Sequence, residues 1–317
     1  MKTFAYKPSR RAGRATLSNL ELRCPPLPQT LVEAMNLMER PEQIEIGPVT
    51  EMVQRDPVVV ARLLHIVNSA YYGLRHSISS AERAVLMLGP VAVTGIVVGM
   101  NMLKLKSELD DAGAQCFQKL IRHSLASAFL TRHLLEGKPR ELTPATARRS
   151  ARVGASFTAG LLHDFGKIIL VYNHPREAVD FYHRRNLDFQ VSDQDERQLE
   201  RLLFGYDHTE AGEFVARKLN FPDMLTDIIR LHHASEHLDG QGETHRALRA
   251  TFAANLASKA MGYGFTSETM WDTVTINPVW EQLIRYDLRH HSYTEHLIEE
   301  IKNLQQYLDE YVGTMLA

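Results

Sequence analysis

Cysteine is nearly absent from this chain: Cys24 and Cys116 are the only two in 317 residues. They lie far apart and form no C-x-x-C pair, which argues against a disulfide scaffold or a thiolate zinc site and points to a reducing cytoplasm. An excess of charge of one sign is missing too. Lys and Arg number 36 against 38 Asp and Glu, a formal charge of −2, so electrostatics give no case for nucleic acid as the main partner. Arg148, Arg149 and Arg152 make a local basic patch, and such runs are usually solvated faces. Strand-like alternation is scarce, and neither an internal repeat nor a low-complexity run is apparent. The first residues carry Lys2, Lys7, Arg10, Arg11 and Arg14 with no apolar stretch behind them. They read as a basic flexible tail over residues 1–21 rather than a secretory signal.

What is present is ordinary globular material, 44% apolar and 23% charged, enough for a sizeable core. One uncharged run of twenty residues between Arg83 and Lys104 is long enough to span a bilayer. Gly89-Pro90 near its start, with Gly95, Gly99 and Asn101 beyond, favours two buried helices meeting at a Gly break, with Pro90 in the first turn of the second. The chain is therefore expected to be soluble, with no membrane span.

Helical periodicity organises the rest. After the proline-rich Cys24 to Pro28, Thr30 and Glu33 form a capping-box pattern ahead of Leu31, Ala34, Met35 and Met38. Helices are expected from Ile46-Gly47-Pro48 and from Asp56-Pro57, the latter an N-cap with proline at the first helical position. Others are expected over Ile121 to Leu135, Ala151 to Asn173, Arg176 to Asn186, Asp193 to Phe204, His208 to Leu219 and Pro222 to His233. A polar stretch from Glu136 to Ser150 reads as a surface connection. A further helix runs through Ala260, and a terminal one is expected from Thr294 to Tyr311.

The chemistry concentrates on histidine. His163-Asp164 directly follows the apolar run Phe157 to Leu162 and precedes Gly166-Lys167. A polar pair at the end of a buried face points inward, where it needs partners, and carboxylate beside imidazole is a common metal-binding solution. His123, His208 and His232-His233 lie on neighbouring predicted helices. Taken singly, each is as readily a capping or hydrogen-bonded histidine, and His232-His233 at a helix C-terminus could complement the helix dipole.

The order His123, then Leu161-Leu162-His163-Asp164-Phe165-Gly166-Lys167, then His208, then His232-His233 resembles the HD superfamily of metal-dependent phosphohydrolases. Leu27-Pro28, Asp56-Pro57, Ala61 to Leu64, Asn68-Ser69-Ala70-Tyr71-Tyr72-Gly73, Ile78, Ala84 and Leu88-Gly89 are similar to the HDOD group of bacterial signalling proteins. Phe204 to His208, Leu219 and Phe221-Pro222 fit the same group. The similarity covers about residues 22 to 262.

The resemblance implies an all-α, two-lobed fold: an N-terminal helical lobe over 22–110, a histidine-bearing lobe over 111–265 and a helical C-terminal extension over 266–317. It implies a metal set of His123, His163, Asp164, His208, His232, His233 and Asn255. Asp164 and Lys167 would carry the chemistry in an active member, with Lys167 on phosphate or, alternatively, a solvated charge after the turn. Imidazole-rich ligation favours iron, manganese or zinc, at partial occupancy or else absent, with a single bound metal serving structure or sensing as a middle position. Asn255 stands where the superfamily has an aspartate, and an amide brings no negative charge to a metal. The Gly-Tyr-Pro of HD-GYP phosphodiesterases is missing from Asp239 to Thr244, which argues against cyclic-dinucleotide hydrolysis, and Lys119 stands where some three-metal relatives have a carboxylate. The expectation is a cytoplasmic regulatory module that acts on a signalling protein partner or a phosphate-containing small ligand. Asn68, Tyr71 and Tyr72 are candidate contributors to its binding surface or, equally, structural packing at a helix end. The alternative is a metal-dependent phosphohydrolase acting on phosphodiesters or nucleotides.

Overall fold

The computed structural model describes residues 22–23, 29–37, 43–104, 106, 109–137, 156–188, 193–264, 271–288 and 294–316. The basic tail, the Cys24 to Pro28 lead-in, and the connection holding Arg148, Arg149 and Arg152 lie outside them. Among the described residues there is no strand, and the chain is a helical protein, as its periodicity predicts.

The first five helices form one group: α1 (Gln29–Leu37), α2 (Ile46–Gln54), α3 (Pro57–Val67), α4 (Ala81–Leu88) and α5 (Pro90–Leu103). Asp56 starts α3 as expected, its side chain accepting from the amides of Val58 and Val59 ahead of Pro57. Thr30 differs from expectation. It lies inside α1, and its hydroxyl donates to Asn101 Oδ1 at 3.0 Å, so a tertiary partner replaces the local cap. The uncharged run is two helices, bent by 107° at Gly89, which takes φ 86°, a value L side chains rarely adopt. No single helix among the described residues is long and apolar enough to cross a membrane, and α5 is buried from Val91 to Met102.

The central strut is α6 (Asp111–Glu136). It begins ten residues before the expected start at Ile121, because Asp110 caps it through the Gly113 amide and Cys116, Phe117 and Leu120 already bury one face. Against α6 pack α8 (Phe165–Asn173), α9 (Pro175–Asp188) and α13 (Glu243–Ala260). Small buried residues of α13 at Ala250, Ala253, Ala254 and Ala257 allow its close approach. The intervening α7 (helical residues 156–162), α10 (Asp193–Phe204), α11 (His208–Lys218) and α12 (Asp223–Leu231) complete the histidine lobe.

The last helices are α14 (Trp271–Thr275), α15 (Val279–Tyr286), α16 (Thr294–Lys302) and α17 (Gln305–Leu316). The single terminal helix expected from Thr294 is broken at 303–304, where Leu304 is buried at the corner and α17 turns onto α3 and α6. Arg62 of α3 donates to the Met315 carbonyl there. Trp280, fully buried, donates its indole N–H to the Val274 carbonyl, so this extension closes the core.

Candidate metal centre

The helix expected over Ala151 to Asn173 is interrupted at His163-Asp164. A continuous helix separates neighbouring side chains by about 100°. The break lets both turn inward, and both are buried. Asp164 sits at the N-cap of α8, yet its carboxylate makes no capping bond. An aspartate at that position normally spends its oxygens on the first amides, so this one is held back for something else. Gly166 makes the geometry feasible. A Cβ there would lie 1.6 Å from the His208 carbonyl oxygen, so only glycine lets α8 meet the start of α11.

Five histidines surround the carboxylate. His232 Nε2 and His208 Nε2 lie 3.3 and 3.6 Å from Asp164 Oδ1, while His123 Nε2 and His163 Nε2 each lie 3.5 Å from Oδ2. His233 joins through a 3.0 Å contact between its Nε2 and that of His208. Two groups of ligand atoms emerge, Asp164-His208-His232-His233 and His123-His163-Asp164, with Asp164 common to both.

Tautomers follow from the partners of the other ring nitrogens. His163 Nδ1 donates to the Gly160 carbonyl at 2.7 Å, His232 Nδ1 to the Ile229 carbonyl at 3.0 Å and His123 Nδ1 to the Tyr263 carbonyl at 3.1 Å. His208 Nδ1 donates to Glu200 Oε2 at 2.5 Å. Carbonyls and carboxylates only accept, so each Nδ1 carries the proton and a neutral ring presents its Nε2 lone pair, while at His208 burial is outweighed by the Glu200 carboxylate and the pKa is raised. Those lone pairs face one another: His123 and His163 Nε2 are 3.2 Å apart. Burial holds His163 well below the usual histidine pKa and lowers His232 as well, so protons do not resolve the conflict there. Burial alone would raise Asp164, but the Lys167 ammonium and then His163 outweigh it, and the carboxyl is held well below its usual range.

The donor set fits a divalent cation. Ligand atoms about 2.1 Å from an ion at tetrahedral or octahedral angles sit roughly 3.0–3.4 Å apart, close to the spacings here. Asp164 Oδ1, His232 Nε2 and Asn255 Oδ1 are buried and have no hydrogen-bond partner, the condition a bound ion relieves. Asn255 lies on α13 three residues before Ser258, whose hydroxyl contacts His123 Nδ1 at 3.2 Å. Carboxylate and carbonyl partners on the far ring nitrogens are the usual support of metal-binding histidines.

Every predicted site residue except Asn255 is thus brought into one cluster by direct contacts, and Asn255 is placed on an adjoining helix. Lys167 is no solvated charge. It is 3% exposed, with Nζ 2.9 Å from Asp164 Oδ2 and 3.3 Å from Glu196 Oε1. Sequence reasoning missed Glu196 and Glu200. Both are fully buried on α10, one turn apart, while Leu199 and Leu202 of the same helix face solvent. That inversion, carboxylates on the inner stripe and leucines outside, is visible only in the packing. Asn68 is structural: its side chain donates to the Leu64 and Ile78 carbonyls and accepts from the Ile78 amide. Tyr71 bonds His133 Nδ1, and Tyr72 accepts from Arg132, both at the junction with α6.

Comparison with known proteins identifies the family and the fold. The HDOD domain model matches residues 24–235. An HDOD domain protein of unknown function from Geobacter sulfurreducens superposes with a TM-score of 0.67 at 22% identity, covering 91% of this chain and 93% of its own. A Shewanella amazonensis protein provisionally named a phosphohydrolase gives a TM-score of 0.59 at 19% identity over 95% of this chain and 96% of its own. An uncharacterized protein of Treponema pallidum is 24% identical over 232 residues, 72% of this chain but 40% of that relative's length. With two thirds of the chain matched by the family model, this protein belongs to the HDOD domain family.

Proposed function

We propose that this chain is a regulatory HDOD module that signals through a protein partner, built around an enclosed metal centre that orders its helices instead of turning over substrate. His123, His163, Asp164, His208, His232, His233 and Asn255 would hold iron, manganese or zinc. One observation carries the reading: all but one residue of the cluster is shielded from solvent, His233 alone being half-buried. Asp164 is 1% exposed, and His163, His208 and His232 are fully buried. A catalytic metal keeps a coordination position open to substrate, and a structural one does not. Lys167, the residue that would meet a phosphate, is committed to Asp164 and Glu196. The α10 carboxylates add negative charge where a phosphoryl group would need positive.

A second reading, metal-dependent phosphohydrolase, has one observation in its favour. Asp164 presents a separate oxygen to each histidine group, the arrangement of a carboxylate bridging two ions. Bound there, a metal pair would supply Lewis acidity and an activated water. Asp164 would bridge, Lys167 would orient a phosphate oxygen, and a phosphodiester or nucleotide would be the substrate.

The test pairs two measurements on full-length protein purified without chelator. The regulatory reading expects bound metal, a melting temperature that falls when the metal is stripped, and no release of p-nitrophenol from bis-p-nitrophenyl phosphate with iron, manganese or zinc supplied. Turnover lost on Asp164→Asn would establish the enzyme instead. Cytoplasmic placement and a protein partner belong to the same proposal, and affinity capture by the wild-type chain but not by one with the centre disrupted would support the partner.

A further inference from the structure

The two oxygens of Asp164 do not face equivalent surroundings. Oδ2 accepts from the Lys167 ammonium at 2.9 Å, so a cation of the protein itself already occupies that oxygen, although Glu196 Oε1 shares the same ammonium at 3.3 Å. Oδ1 has no hydrogen-bond partner although it is buried, and two imidazole Nε2 atoms stand 3.3 and 3.6 Å from it. Glu200 strengthens the contrast. It is fully buried and accepts from both the backbone amide and Nδ1 of His208, adding a second carboxylate behind a ligand of the Oδ1 group. The partners described for the Oδ2 group are of a different kind. His123 and His163 rest on backbone carbonyls, and the side chain that α13 brings next to Ser258 is the neutral amide of Asn255.

A divalent ion bound by neutral imidazoles depends on nearby carboxylates for charge balance, because moving charge out of water is costly unless it is compensated. The Oδ1 group offers the Asp164 carboxylate with Glu200 behind it. The Oδ2 group offers the same carboxylate with an ammonium attached. We infer that the chain is a single-metal protein, with its ion held by Asp164 Oδ1, His208, His232 and His233, and with Lys167 acting as a built-in cation on the Oδ2 side. Glu200 is then a positioning residue, fixing the His208 ring and raising its basicity as carboxylate partners of metal-bound histidines do. This rests on the metal-centre reading above and says which half of that centre is used.

Manganese(II) is a suitable probe, being both countable and paramagnetic. Metal-stripped full-length protein is dialysed against manganese(II) and assayed for metal content and by electron paramagnetic resonance, with circular dichroism to confirm that each variant is folded. One equivalent per chain, with the spectrum of an isolated ion, is expected. His233→Ala and Glu200→Gln should each weaken binding by about tenfold or more, the size of loss seen when ligands or their supporting partners are removed. Glu200→Gln keeps an acceptor for His208 Nδ1 while removing the charge and turning the oxygen that accepts from the Tyr182 hydroxyl into an amide donor. His123→Ala should weaken binding by less than about threefold. The double substitution Lys167→Met with Asn255→Asp should admit a second equivalent and produce a spin-coupled spectrum. Two coupled ions in the wild-type chain would overturn the inference and leave the metal-centre reading standing. So would one ion lost with His123→Ala and kept with His233→Ala. Absence of binding at millimolar manganese, iron and zinc by folded wild-type protein would overturn both.

Discussion

Two histidines on one helix, ten residues apart, have opposite surroundings. His133 and His123 both lie buried on α6. His133 has a matched partner on each side: Tyr71 hydroxyl on Nδ1 at 3.0 Å and the Glu300 carboxylate on Nε2 at 3.0 Å. With Nε2–H donating to the carboxylate and the tyrosine hydroxyl donating to Nδ1, every polar atom in that chain is satisfied. His123 has its Nδ1 matched and its Nε2 facing another imidazole lone pair. The first arrangement is a finished polar network joining the NSAYYG turn to α16. The second sets two imidazole nitrogens and a carboxylate oxygen at the spacing of ligands around a cation. Burial of a histidine is therefore uninformative by itself, and the identity of the atom opposite Nε2 separates structure from chemistry.

The largest expected effect tests the backbone contact on which the cluster depends. Gly166→Ala forces a Cβ onto the His208 carbonyl, and a backbone atom cannot swing away as a side chain can. Destabilisation of about 3 kcal/mol or more is expected, the upper end of overpacking costs, read as a lower urea midpoint. A midpoint unchanged from wild type would mean α8 and α11 are not held so closely.

Next comes a direct break of the comparison. His133→Leu strands the buried Tyr71 hydroxyl and should cost about 1–3 kcal/mol, equally with and without metal. His232→Leu should behave differently. In chelator it removes a buried nitrogen that has no hydrogen-bond partner, so stability should match or exceed wild type. It should also abolish the stabilisation that metal gives the wild-type chain, about 2.7 kcal/mol at a hundredfold excess over the dissociation constant. Equal penalties for both variants in chelator would erase the distinction. A smaller version of the same test is Tyr71→Phe, for which about 1 kcal/mol is expected, with metal content untouched.

Much of this contrast was legible in the sequence and part of it was not. The histidines of the cluster could be named because their order resembles that of the HD superfamily, with His163-Asp164 ending an apolar run, His208 opening a recognisable helix and His232-His233 closing another. The Asp56 cap and the Gly89-Pro90 break were equally readable, being local backbone chemistry. Glu196 and Glu200 were not, because a charged helix such as α10 looks like a solvated face until its packing shows which stripe points inward. Thr30 and the start of α6 misled for a related reason. A tertiary bond to Asn101 displaced a local cap in one, and in the other a buried stripe ran on beneath polar residues. His133 was passed over entirely, since Tyr71 and Glu300 lie 62 and 167 residues from it in sequence, and no short-range pattern records such a pairing.

The smallest effect concerns whether α6 is rigid enough for the comparison to be fair. Cys116 lies near its start, 6% exposed, and burial pushes its thiol up to about 12, with Lys119 pulling the other way. In the unfolded chain the thiol ionises near pH 8.5. Its folded pKa is raised, so the stability it contributes is fully present below about pH 8.5 and is lost as pH climbs toward about 12. Between those values the native protein should therefore resist iodoacetamide, because the thiolate is the reactive species and forms there only on opening. In a Cys24→Ser background, alkylation at pH 8.5 should be slow and should accelerate in urea in step with unfolding. Labelling at the rate of a free thiol in native buffer would show that the first turns of α6 open readily. His123, only two turns further along, would then sit on a mobile segment while His133 sits on a fixed one, and the difference between them would be one of dynamics before it was one of partners.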